Sequence, residues 1–286
     1  MNIKFWGTRG SIASPGPETV VFGGNTTCVQ ITTDSGLVAV IDAGTGIRNL
    51  GDFLLHRSEQ KMVHFFVTHV HWDHLIGLPF FAPLFRPDYH VVFNGCRKCF
   101  EGVKRIFCSD AIDGTWPVRF QDLKAQIDPP AEAPMGNFSL GDVLVESHGL
   151  QHPQGGLGFK FTEGKKKFVF LTDNELTEEG WKGTCFKDFV NFCQGTDVLV
   201  HDCQYSPEEM ISRKGWGHSD TTIVARLAVE TGAKKLILFH HDPWRNDDGV
   251  REIITKCRES LDCLNSHILV DAAREGGTAS FSGSVH

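Results

Sequence analysis

Apolar runs in this chain are short, rich in β-branched and aromatic residues, and bounded by glycine or polar turns. That is the pattern of buried strands. In the first half it predicts strands at 3–7, 28–33, 37–42, 63–67 and 90–93. A helical period fits 47–56, a segment opening at Leu75, and 99–107. Residues 109–136 are polar and broken by prolines, with one expected strand at 118–120. The second half predicts strands at 138–140, 143–147, 157–161, 168–171, 198–201, 236–239 and 268–270. Helices are expected over 178–183, 186–193, 222–231 and 249–264. The halves share an outline: several strands, then strands alternating with helices. Two sheets packed face to face with helices outside would bury both patterns. No linker divides the chain, so 1–286 reads as a single domain.

Between the strand at 63–67 and the helix opening at Leu75 lies Thr68-His69-Val70-His71-Trp72-Asp73-His74. Three imidazoles and a carboxylate are good ligands for a divalent metal. A turn held by a rigid sheet is where a layered α/β domain builds its sites. His69 and His71 can share a face of an extended turn, whereas Asp73 and His74 must point elsewhere. Two adjacent metals fit that geometry better than one. The aliphatic and aromatic flanks argue against a solvated histidine-rich loop.

Other predicted strands also end on chemistry. His152 follows the strand at 143–147, with His148 as its competitor. Asp173 follows 168–171, His201-Asp202 closes another strand, and His240-His241-Asp242 another. His218 stands in a loop just ahead of a helix. A single histidine is more often a hydrogen-bonded structural residue than a ligand. A series of such sites behind His-x-His-x-Asp-His is far more specific. The glycine-rich loop from Gly7 to Thr27 has two readings: a site wall with Arg9 or Asn25 on an anionic ligand, or a plain connection.

From Gly7-Thr8 to His240, these motifs resemble the metallo-β-lactamase superfamily, in particular its phosphodiesterase branch of tRNase Z-like enzymes. His-x-His-x-Asp-His marks the superfamily. The spacing from Gly217-His218-Ser219 to the strand ending at His240 points to the branch. The resemblance implies an α/β fold, an αββα sandwich of two mixed β-sheets flanked by helices, with a two-metal site at one edge. It implies His69, His71 and His152 on one metal, Asp73, His74 and His240 on the other, and Asp173 between them. His152 is preferred to His148 for the glycine-rich turn that follows it, and His240 to His241 because it directly follows its strand. Nitrogen and oxygen donors suit Zn²⁺, and also Mn²⁺ or Fe²⁺. Two such ions share a hydroxide at neutral pH, since they lower the pKa of bound water to ~7. His218 is the expected general acid, oriented by Asp202 where the resembled enzymes carry a glutamate. Asp73 is counted with this catalytic pair as well as among the ligands. Thr68 and Asp42 are expected to support the ligands from behind.

Composition narrows the substrate. The 286 residues carry a net charge of −7, and the one basic run, Lys165-Lys166-Lys167, is expected on a hairpin tip. Arg97-Lys98 and Lys104-Arg105 lie among acids, and the glycine- and proline-rich basic arm of tRNase Z-like enzymes is not evident. A polymer's phosphates demand many Lys and Arg contacts. A small phosphodiester such as a cyclic nucleotide is therefore favoured over a folded RNA. Trp72, Trp116, Trp216 and Trp244 fall near predicted loops, where one or two could stack on a base. The alternatives are a tRNA 3′-processing endonuclease, a thioester, lactone or β-lactam hydrolase, and a non-catalytic sensor. No apolar run reaches the ~20 residues that span a bilayer. The amino terminus enters a strand without a signal-peptide pattern, so a cytoplasmic location without a membrane partner is expected. Nine cysteines, an odd number, suit reduced thiols. Cys96-x-x-Cys99 lacks a second pair and reads as structural. A homodimer is open, since nothing in the chain marks an interface.

Overall fold

Two mixed sheets of seven strands face one another across a layer of phenylalanine rings. The computed structural model describes residues 1–57, 59–107, 116–131, 136–180 and 183–281. The first sheet contains β1 (Asn2–Gly7), β2 (Cys28–Thr32), β3 (Val38–Ile41), β4 (Met62–Phe66), β5 (His90–Asn94) and β6 (Gln126–Asp128). The second contains β7 (Phe138–Leu140), β8 (Val143–Gly149), β9 (Leu157–Glu163), β10 (Lys166–Leu171), β11 (Val198–Asp202), β12 (Lys235–Phe239) and β13 (Leu269–Ala272). A short last strand, β14 (Thr278–Ala279), returns to pair with β1. The first sheet runs β14-β1-β2-β3-β4-β5-β6 and the second β13-β12-β11-β10-β9-β8-β7. Each is antiparallel on one side and parallel on the other. Pairing turns parallel from β3 to β6 and from β10 to β13.

The strands read as continuous apolar runs because both of their faces are covered. In β10, Phe168 and Phe170 point between the sheets while Val169 and Leu171 point to the helices. Ile237 and Phe239 of β12 face inward in the same way, and Leu236 and Leu238 outward. Helices α1 (Ile47–Arg57), α2 (Trp72–Leu75) and α3 (Arg97–Ile106) belong to the first sheet's half. α4 (Phe186–Cys193), α5 (Pro207–Met210), α6 (Thr221–Thr231) and α7 (Asp247–Cys263) belong to the second. The apolar faces of α1 and α3 close one outer layer, and those of α4, α6 and α7 the other. The expected αββα sandwich is thus present, with the hairpin of β9 and β10 carrying the basic run. Lys166 there pairs with Asp34 at 2.6 Å.

Three expected elements differ. Residues 118–120 form no strand; Phe120–Asp122 is a 3₁₀ turn, and β6 lies later in the chain. The Phe120 ring is used as a plug against Phe100 and Phe107, 5.9 and 6.1 Å away. The helix opening at Leu75 is instead the end of α2. Pro79 and Pro83 then start two 3₁₀ turns, because each lacks the N–H that a continuing helix needs. The helix expected at 178–183 is absent from its described residues, and 181–182 lie outside them. Gly180 and Gly183 take φ of 71° and 84°, which breaks a right-handed helix. Cys96 is the N-cap residue of α3, and it and Cys99 are free thiols. Cys108 lies outside the described residues. Among the described residues no helix is long and apolar enough to cross a membrane.

The inter-sheet layer fixes how the two halves meet. Phe161 lies 5.2 Å from Phe66 across the sandwich and 6.2 Å from Phe168 beside it. Phe161→Ala should lower stability by about 3–5 kcal/mol through lost burial and the cavity left behind. Urea unfolding should show this as a lower midpoint with an unchanged slope.

Candidate metal centre

One edge of the sandwich gathers the ends of β3, β4, β8, β10, β11 and β12. Their following residues are Asp42, Thr68 to His74, Gln151-His152, Asp173 to Leu176, Cys203-Gln204 and His240, with Asp202 as the last residue of β11. Three of these residues leave their strands in a left-handed conformation: Asp42 at φ 61°, Asp173 at 53° and His240 at 57°. Ser11, at 61°, faces the same site. A non-glycine residue held there costs about 1–3 kcal/mol. The fold accepts that strain where a side chain must turn back across the edge.

Two clusters result. In the first, His71 Nδ1 and His152 Nε2 are 3.1 Å apart, and the His69 ring centroid lies 4.5 Å from that of His71 and 4.8 Å from that of His152. His71 Nε2 bonds Gln154 Oε1 at 3.0 Å, leaving Nδ1 for the cluster. His152 Nδ1 donates to the Gly217 carbonyl at 3.4 Å, so Nε2 faces the cluster without a proton of its own. In the second, the Nε2 atoms of His74 and His240 lie 3.2 and 3.1 Å from Asp73 Oδ2. They lie 3.2 and 3.3 Å from Asp173 Oδ2. Asp173 Oδ1 points the other way, 3.8 Å from His69 Nε2 in the first cluster. One carboxylate therefore faces both groups.

The atoms behind the clusters set their protonation. His74 Nδ1 bonds Asp42 Oδ2 at 2.8 Å, and Asp42 also accepts from the Thr68 amide and hydroxyl. His74 Nε2 is thereby aimed at two carboxylates without a hydrogen-bond partner, and His69 Nε2 is likewise buried and unpartnered. The amide of Gln204 lies 2.8 Å from His240 Nδ1. With its oxygen turned to the ring it accepts Nδ1–H and frees Nε2. Burial pushes the His74 pKa down, but Asp73, Asp173 and Asp42 push harder, and it ends well above the ordinary value. Burial raises Asp173, but His240, His74 and His69 outweigh it and hold the carboxyl well below its usual range. Burial drives His69 well below the ordinary histidine value, with His74 adding to it. Such a surplus of carboxylate charge around bare nitrogens suits bound dications. The groups His69, His71, His152 and Asp73, His74, Asp173, His240 each bring their donor atoms within 4.8 Å of one another.

Above the clusters sits His218. Its ring stacks on His240 at 5.2 Å and lies 5.8 Å from His152. Its Nδ1 is 3.3 Å from Asp202 Oδ2, which also accepts from the Ser219 amide, while Oδ1 accepts from the Asn174 amide. Burial pulls the His218 pKa down, but the Asp202 bond and then Asp173 outweigh it and raise it. Asp202, though short, reaches His218 because it is the last residue of β11.

The competing histidines stand elsewhere. His148 packs on Phe189 and Phe192. His241 donates Nε2–H to the Ala273 carbonyl, and burial takes its pKa down to about 3. Arg9 and Asn25 do not face a ligand, contrary to one reading of the glycine-rich loop. Arg9 is buried and spends its N–H groups on the carbonyls of Gly23, Asp242 and Arg245. Asn25 is tied to Thr45 and Glu275. The loop walls the site with backbone instead: the Ser11 amide donates to Asp73 Oδ2 at 2.8 Å, and a Cβ on Gly10 would strike His240 and Gln204. Gln204, Ser11 and Gly217 are site residues that no motif singled out for these roles. Gly217, beside His218, carried the nearest signal. Trp72, the first residue of α2, and Trp216, on the loop of His218, are 73% and 58% exposed, whereas the Trp116 ring packs on Phe80.

The fold and this pair of clusters define a metal-dependent hydrolase. Residues 39–241 match the family model described as the beta-lactamase superfamily domain. The chain belongs to that superfamily. It is 25% identical to a protein named ribonuclease BN from Escherichia coli O17:K52:H18, over 80% of this chain and 86% of that one. Among solved structures it resembles the metallo-beta-lactamase fold protein YhfI from Bacillus subtilis (TM-score 0.69, 15% identity, 97% of this chain and 98% of that one). It also resembles the short form of human tRNase Z (TM-score 0.65, 18% identity, 99% and 100%).

A Cβ on Gly217 would sit 1.9 Å from His152 Nδ1, at a φ of 89° that already disfavours a side chain. Gly217→Ala should therefore displace His152 and weaken metal retention by about 10–100-fold. Competition with a chelator, followed by metal analysis of the protein, checks this.

Proposed function

We propose that this chain is a dinuclear metal phosphodiesterase acting on a small phosphodiester, with a cyclic nucleotide as the leading candidate. The observation that carries this reading is His218, held by Asp202 at 3.3 Å and stacked on His240 over the seam between the clusters. In this reading His69, His71 and His152 would hold one ion and Asp73, His74, Asp173 and His240 the other, with the Asp173 carboxylate facing both groups. Zn²⁺ fits the donor set best, with Mn²⁺ or Fe²⁺ also suited. Two such ions, when bound, supply an activated water near neutral pH and neutralise charge on the phosphoryl oxygens.

The chain's own residues do the rest. Asp202 holds His218 Nδ1–H, so Nε2 carries the mobile proton. The activated water gives up one proton to solvent; as its oxygen bonds to phosphorus and the P–O bond to the leaving group breaks, His218 gives its proton to the departing alkoxide and regains one from solvent. Buried Asp42 and Gln204 keep His74 and His240 turned to the clusters. The relatives named ribonuclease BN and tRNase Z support phosphodiester chemistry. The net charge of −7 and the pairing of Lys166 with Asp34 support a small substrate over a folded RNA. Exposed Trp72 and Trp216 offer ring faces to a base. The second reading, a tRNA 3′-processing endonuclease, is favoured by the relatives' names.

Metal-loaded protein should cleave bis(p-nitrophenyl) phosphate but neither a thioester nor nitrocefin; the reverse result would sink the proposal. Cyclic AMP and cyclic GMP against a precursor tRNA then separate the two readings. His218→Ala should keep both metals and lose about 10²–10⁴-fold in turnover of a cyclic nucleotide. If metal content fell with activity, His218 would not be the acid.

A further inference from the structure

Glu175 lies two residues beyond Asp173 and is 4% exposed. A carboxylate taken out of water is costly unless its oxygens are bonded. Its bonded partners among the described residues are two backbone amides on either side of Trp216. Both oxygens lie 2.8 Å from the Gly215 nitrogen, and Oε2 lies 2.9 Å from the Gly217 nitrogen. Gly215 and Gly217 take φ of 84° and 89°. Left-handed residues at both positions turn their N–H groups toward one anion, as in a backbone nest.

That nest joins two parts of the site. The Gly217 carbonyl receives His152 Nδ1–H, and the Glu175 amide donates to the Gln151 carbonyl at 2.8 Å. On the far side of His218, the Ser219 hydroxyl donates to the Asn174 carbonyl at 2.6 Å and accepts from the Leu176 amide at 3.0 Å. Residues 215–219 are thus laced to 174–176 on both flanks of His218. Among the described residues the imidazole makes one hydrogen bond, to Asp202, and its ring stacks on His240. The backbone beneath it sets whether the ring can make these contacts.

We infer that Glu175 is a positioning residue for His218, acting through the Gly215–Gly217 backbone. It holds the acid over the clusters. The chemistry requires a carboxylate. Two converging N–H donors need acceptors only, and a glutamine would turn an NH₂ donor toward one of them. An aspartate is one methylene short of reaching both. Only the leaving-group arm of the test rests on the phosphodiesterase reading.

Two measurements on Glu175→Gln test this inference. The first is amide hydrogen exchange over residues 213–219. Exchange should quicken by about tenfold or more in the variant, the loss expected when a charge-assisted bond to these amides is weakened. The second compares leaving groups in the metal-loaded enzyme. Turnover of a cyclic nucleotide, which needs a proton on its alkoxide, should fall by about tenfold or more. Turnover of bis(p-nitrophenyl) phosphate, whose nitrophenolate departs without help, should change by less than about threefold. Glu175→Asp should fall in the same direction in both, and it takes the place of the glutamine variant if that one does not fold. Unchanged exchange overturns the inference, as does an equal loss on both substrates. If the unmodified enzyme cleaves no phosphodiester, the functional proposal fails while the exchange measurement still decides the role of Glu175.

Discussion

Three buried carboxylates surround one imidazole at His74, and the site edge is built to keep them there. Asp42 lies against Nδ1, while Asp73 and Asp173 lie against Nε2. One histidine proton beyond the neutral form cannot balance that charge. The surplus suits a cation at the Nε2 side, and the same argument reaches His69, whose Nε2 is buried without a partner. Strained strand ends at Asp42, Asp173 and His240 are the backbone's answer to this demand. Each strand stops abruptly so that a short side chain can point back over the sheet edge.

The two sheets divide the task. The first sheet supplies the His69–His74 turn and, through Asp42 and Thr68, the acceptors and donors behind it. The second supplies His152, Asp173, Asp202 and His240 from four separate strand ends. Neither sheet alone closes a cluster, since His152 completes the first and Asp173 and His240 complete the second. The phenylalanine layer between the sheets is therefore part of the site's geometry. Phe66, just before the metal turn, packs edge-on against Phe159 and Phe161 of β9 at 5.2 Å each.

Much of this was legible in the chain because burial and strand ends leave local marks. Apolar runs marked the strands, and a ligand-type residue after a run marked the site. What failed was the part decided by distant partners. Val118-Arg119-Phe120 looks like a strand, but its ring is needed beneath α3. Residues 178–180 look helical until Gly180 and Gly183 turn left-handed. Arg9 looks like an anion binder, yet three backbone carbonyls claim it. Glu175 had no signal at all. Its partners are amides of Gly215 and Gly217, 40 and 42 residues away, and backbone leaves no side-chain pattern to read.

The clusters and the acid differ in how they are held, and that difference bears on what can vary. His69, His74, Asp173 and His240 are fixed by strand ends, buried side chains and a packed sheet. Altering them disturbs the core as well as the chemistry. His218 stands on a loop whose shape depends on glycines and on one carboxylate beneath it. Sequence change in that loop leaves the core layers untouched, although Gly217 still bears on His152. In the proposed phosphodiesterase reaction, activation of water is thus tied to the fold, whereas proton delivery to the leaving group is tied to a loop. Loops tolerate substitution better than packed strands. A scaffold of this kind can keep its clusters while the surrounding loops, with Trp216 among their exposed residues, redefine which leaving group and which substrate it serves.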